Sequence, residues 1–116
     1  MDQERKTEVK SGSRIGQSIK IEGKIESRED LIIDGQVEGH IILDDHRLII
    51  SPSARIKGNI NTRDIILEGN MEGNIIASGK VVILAKASLI GDITAGRVAI
   101  EEGAKFKGTI KIIPGR

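Results

Sequence analysis

One five-residue phrase occurs six times in this chain: an apolar residue, any residue, Gly, any residue, Ile. It spans Ile21–Ile25, Val37–Ile41, Ile56–Ile60, Met71–Ile75, Leu89–Ile93 and Phe106–Ile110, with glycines at 23, 39, 58, 73, 91 and 108. The glycines are spaced by 16, 19, 15, 18 and 17 residues. That spacing is too uneven for a helical heptad and too regular for chance, so each repeat reads as one structural unit of an array.

Ahead of each phrase, from the second onward, stands an apolar, any, apolar triplet: Leu31/Ile33, Leu48/Ile50, Ile65/Leu67, Val81/Ile83 and Val98/Ile100. Two positions before the phrase comes a small residue, Gly35, Ala54, Gly69, Ala87 or Ala104. Alternation with period two is the mark of strands with one buried face. Stacking the repeats then gives columns of like residues. One is Ile25, Ile41, Ile60, Ile75, Ile93 and Ile110; another is Ile21, Val37, Ile56, Met71, Leu89 and Phe106. If each repeat is one turn of a coil, matching positions lie about 4.8 Å apart, backbone groups pair with the turns above and below, and the columns fill the interior. The expected fold is all-β: a parallel β-helix of about six turns, three short strands per turn, with flexible tails at both termini. The repeated glycine marks a bend or a close backbone approach, where a missing Cβ permits positive φ.

Composition fits this reading. Isoleucine, valine and leucine carry the hydrophobicity, and β-branched side chains suit pleated surfaces. Phe106 is the only aromatic residue, so an aromatic-centred globular core is not being built. Charged residues make up 30% of the chain but sum to +1, which gives no electrostatic case for nucleic acid or anionic lipid. The absence of cysteine excludes disulfides and thiolate metal sites. No apolar run is long enough to span a membrane or to form a secretory leader.

The chain divides into a disordered N-terminal tail over 1–14, the solenoid over 15–113, and a short tail over 114–116 in which Pro114 ends the last strand. Polar segments such as Ser27–Asp30, Asp44–Arg47, Ser51–Ser53 and Asn61–Asp64 supply the turns. On the outside, Glu38, Lys57 and Glu72 are expected to form a charge ladder, and Asn59 and Asn74 an amide pair.

A parallel coil has two edges, and natural solenoids cover them with a helix or a polar repeat. The sequence shows neither. Ile19 and Ile21 in the first turn, and Phe106, Ile110 and Ile112 in the last, are therefore expected to form a polymerisation interface. Contact between the ends of two molecules imitates contact between adjacent turns, so self-assembly needs no nucleotide.

The repeated phrases VEGHI, IKGNI, MEGNI and FKGTI, the segment IIDGQVEG at 32–39, and a single Phe in the last turn together resemble the bactofilins, bacterial cytoskeletal proteins. The resemblance covers roughly residues 15–113. It implies a right-handed coil that polymerises end to end, without nucleotide, into filaments lacking polarity. It also implies a scaffold role for cell-shape and cell-wall machinery, and a polymer contact at Phe106. The partners implied are the chain itself and cell-wall or polarity proteins, in the cytoplasm or at the inner face of the cell membrane. Family members often carry an apolar or aromatic membrane-targeting segment at the N-terminus. This chain opens Met1-Asp2-Gln3-Glu4 instead, so membrane association is not expected.

Rival readings are weaker. Left-handed β-helix acyltransferases need a six-residue apolar repeat and a catalytic histidine; the apolar spacing here is two and four, and His40 and His46 read as solvated. Asp44, Asp45 and His46 are adjacent, and adjacent residues rarely converge on one ion. Phosphate loops, threonine columns and stacking aromatics are missing. No enzyme activity, cofactor or metal is expected. The realistic alternative is a β-helical protein-binding module that does not polymerise.

Overall fold

The computed structural model describes residues 13–113. They form ten strands in one continuous parallel sheet wound as a solenoid. The strands are β1 (Ser13–Ile15), β2 (Lys20–Glu26), β3 (Leu31–Ile33), β4 (Gln36–Ile42), β5 (Arg47–Ile50), β6 (Arg55–Thr62), β7 (Asp64–Leu67), β8 (Asn70–Ile83), β9 (Ser88–Ile100) and β10 (Lys105–Ile112). Every pairing is parallel, and each strand meets the equivalent strand one turn away.

The register is the one that the repeated phrase demands. Ile21 aligns with Val37, Val37 with Ile56, Ile56 with Met71, Met71 with Leu89, and Leu89 with Phe106. The isoleucine column aligns in the same way, and its interior members, Ile41, Ile60, Ile75 and Ile93, are buried. Leu43, Thr62, Ala77 and Ala95 add a further inward column. Thr62 is its polar member, and its hydroxyl donates to the His46 carbonyl at 2.6 Å, which satisfies the group inside an apolar stack.

The phrase itself explains the corner. Its two apolar ends and its glycine share one parity, so a straight strand would bury all three. Instead the chain bends at the glycine, with φ between 130° and 146° at Gly23, Gly39, Gly58, Gly73, Gly91 and Gly108. From Gly39 onward each of these glycines also packs on the carbonyl of the glycine one turn below, so the bend and the close approach coincide. Hydrogen bonding continues through this corner, and the second and third straight segments of each turn belong to one strand. In β8 and β9 the next corner is also passed without a break, at a register irregularity between Ala77 and Lys80.

The first strand opens at Ser13, two residues ahead of the start expected at Ile15. Ser13 stands in register with Leu31, in a column that is apolar in every later turn. Residues 1–12 of the expected tail, and residues 114–116, lie outside the described residues.

Candidate functional site: the open ends of the stack

Among the described residues β10 pairs only with β9, so its outer edge presents backbone groups with no partner strand there. Side chains that are inward in the turns below become exposed here. Ile110 is 36% exposed where Ile93 beneath it is 1%, and Ile112 is 54% exposed where Ala95 is 0%. Ile100 is 44% exposed above a fully buried Ile83. Phe106 is half-buried and packs on the core through the Leu89 column. Lys105, Lys107 and Lys111 rim this end.

At the other end, among the described residues, β1 and β2 pair on one side only, with β3 and β4. Ile15, Ile21 and Ile25 are half-buried against the core, and Ile19 is 44% exposed. Ile19 occupies the corner position taken by Gly35, Ala54 or Gly69 in later turns. The short strand β1 is held from the side by Arg14, whose Nε lies 2.6 Å from Asp34 Oδ2. A hydrogen bond from the Ser51 hydroxyl, and then the Arg14 guanidinium, hold the Asp34 carboxyl below its ordinary value.

Phe106, Ile110 and Ile112 are thus brought together at one end, and Ile19 and Ile21 at the other. Ile25 and Ile100 belong with them, although the sequence reading left them out of the interface. Each terminates a column whose interior members are buried. Among the described residues no helix or further strand covers either end, and each edge offers donors, acceptors and apolar side chains suited to strand addition.

Away from the ends the surface is mostly polar on two of its three sides, with Ile76 and Ile90 exposed among the polar residues. Lys57 Nζ lies 4.0 Å from Glu72 Oε1, a fragment of the expected ladder. Asn59 faces the His40 ring at 3.5 Å, while its amide contact with Asn74 is replaced by simple register stacking. His46 sits in a turn made by Asp44 at φ 51°, with its Nδ1 3.8 Å from Asp30. An aspartate tolerates that left-handed conformation better than most residues, which is why the acidic pair falls at this turn. No helix among the described residues is long and apolar enough to cross a membrane.

A coil of like layers, uncovered at both ends among the described residues, defines the class: a parallel β-solenoid whose ends repeat its interior. The particular family follows from comparison, and the chain belongs to the bactofilins. The family model, described as polymer-forming cytoskeletal, matches residues 13–111. Bactofilin BacO of Myxococcus xanthus (strain DK1622) is 39% identical over 107 residues, which cover 92% of this chain and 84% of that protein. Bactofilin BacP of the same organism is 38% identical over 105 residues, 88% of this chain but 43% of that longer protein. No solved structure gives a significant match.

Proposed function

We propose that the chain is the subunit of a filament assembled end to end through its open turns, without nucleotide. In this reading the filament is a cytoplasmic scaffold for cell-shape and cell-wall machinery. The exposure of Ile110 and Ile112, at positions that are sealed in every interior turn, is the observation that carries it. Joining two ends buries these side chains and pairs the free edge of β10, much as the next turn would inside one molecule. That like ends meet, giving a filament without polarity, follows from the family resemblance rather than from the geometry of either end.

Negative-stain electron microscopy and sedimentation of the purified protein, at tens of micromolar and with no nucleotide, test the assembly (a concentration on the order of common weak-contact affinities). Filaments are expected; monomer alone would end the proposal. Phe106→Arg should give folded, short species, because a charge placed at the end face opposes contact more than it disturbs the packed turns below. Full-length filaments of that variant would reject the contact at Phe106. Polarity has its own test, since the chain has no native cysteine. Thr109→Cys should crosslink to itself if like ends meet. If it crosslinks only to a Lys24→Cys subunit, unlike ends meet.

A further inference from the structure

The outward residues of the second and third segments are mostly polar, for example Glu38, Lys57 and Glu72, or His40, Asn59 and Asn74. The first segment differs. Its outward column runs Arg14, Ile32, Ile49, Ile66, Val82 and Ala99 in continuous register. Ile32, Ile49, Ile66 and Val82 form an unbroken apolar ridge on the outside of the coil, each side chain half-buried only by its neighbours.

The two flanks of this ridge differ in the sign of their net charge. The flank where each strand begins carries Arg47, Lys80 and Arg97, together with Asp30 and Asp64. The two aspartates are turned onto the backbone, accepting from the N–H groups of Arg47 at 2.9 Å and Lys80 at 3.0 Å. Among the described residues none of the three cations makes an ion pair. The flank where each strand ends carries Asp34, Glu68 and Glu101, whose backbone N–H groups donate to the carbonyls of Ile15, Ile50 and Ile83 one turn below. Asp34 already pairs with Arg14, and Glu101 accepts from the Ala85 N–H, leaving Glu68 as the carboxylate with neither a hydrogen bond nor an ion pair among the described residues.

We propose that this face is a side-by-side contact between rods: a second copy of the chain packs its own Ile32–Ile49–Ile66–Val82 ridge against the first, the two running parallel. The direction follows from the charges. A two-fold axis along the rod reverses the strands across the contact, so the cationic flank of each rod meets the acidic flank of the other. Glu68 then falls level with Asp64 of the other copy, a carboxylate already paired with its own Arg63, and between Arg47 one turn below and Lys80 one turn above; Arg97 stands level with the other copy's Glu101. A two-fold axis along the strands would instead set the acidic flank of one rod against the acidic flank of the other, and the cationic flank against the cationic one. Such rim charges choose orientation more than they add affinity.

The inference rests on the filament reading, because the face is small. Strand rise and spacing give it an area on the order of 20 by 15 Å, so a pair of rods buries roughly 600 Å². That is about half the lower bound for a stable interface, near 1,200 Å². One pair of subunits separates readily, whereas joined subunits repeat the contact along their length and hold by avidity.

Electron microscopy of the full chain in low salt is the test, scored for single filaments and laterally paired ones. The wild-type protein should show pairs. Lys80→Glu should retain filaments and lose the pairs, and adding Glu68→Lys to it should restore them. Ile49→Lys should also abolish pairing while circular dichroism remains that of the parent. Filaments that are only ever single, pairs that survive Lys80→Glu, or pairs that the double variant does not restore would each overturn this contact and leave end-to-end assembly standing. A protein that forms no filaments would overturn both.

Discussion

A methyl group built on Gly58 would collide with the carbonyl oxygen of Gly39 one turn below, and the backbone there has φ of +138°. Gly23 has φ of +130° but nothing within 4 Å of the same position, because no turn among the described residues lies beneath it. The two glycines therefore separate two costs that the shared phrase hides. Gly23→Ala suffers backbone strain alone, on the order of 1–3 kcal/mol. Gly58→Ala adds a backbone clash that only separation of the turns relieves, so its loss should be clearly larger. Urea denaturation of the two variants measures the difference; equal losses would show that strain alone fixes the phrase. The sequence makes the glycine column visible and narrows its cause to a bend or a close approach. It does not show that both act together, because the colliding atom belongs to a residue 19 positions away, supplied by the neighbouring turn.

Strands were legible wherever alternation was apolar on its inward side, as in β3 to β10. The first strand was not, because Ser13 replaces the apolar residue at the start of the triplet and only Ile15 continues its column. This three-residue strand pairs on a single side and depends on a side-chain clamp, Arg14 to Asp34. The clamp makes its anchoring sensitive to acid. The Asp34 carboxyl titrates lower in the folded protein than its ordinary 3.8, so the clamp is complete above that value and is lost as pH falls through the folded one. Hydrogen exchange at Ser13–Ile15 should therefore quicken below about pH 4 relative to exchange in β5, after correction for intrinsic rates. Asp34→Asn should remove that acid dependence while leaving β1 less protected at neutral pH. Unchanged protection in both experiments would mean that backbone pairing alone holds the strand. The end residues divide similarly. Phe106 and Ile110 were readable because they close the repeated phrase. Ile100 closes a column in a triplet, and its exposure comes from the missing turn above it, which the triplet itself does not record.

In the whole solenoid each turn contacts only its neighbours, so stability is close to a sum of turns and interfaces, and an interior turn is dispensable if register survives its removal. The coordinates define such a cut. Asp64 and Lys80 begin the equivalent segments of successive turns, since Ile65 aligns with Val81, Ile66 with Val82 and Leu67 with Ile83. Deleting residues 64–79 joins Arg63 to Lys80, so that Val81 and Ile83 stack on Leu48 and Ile50, Leu89 on Ile56, and Gly91 on Gly58. Both ends are untouched. The shortened chain should fold, keep its β-rich circular dichroism, and assemble with a subunit repeat shorter by about 4.8 Å per chain. Deleting 64–78 instead leaves one residue too many at the junction and shifts the following strands by one position. That slip turns Val81 and Ile83 outward and brings Val82 inward, and it sets Gly91 off the Gly58 carbonyl, so this variant should not fold cooperatively. Thermal melts of the pair, with filament repeat measured by electron microscopy, decide the point. Loss of assembly by the in-register deletion alone, with folding preserved, would show that the ends depend on rod length and not only on the terminal turns.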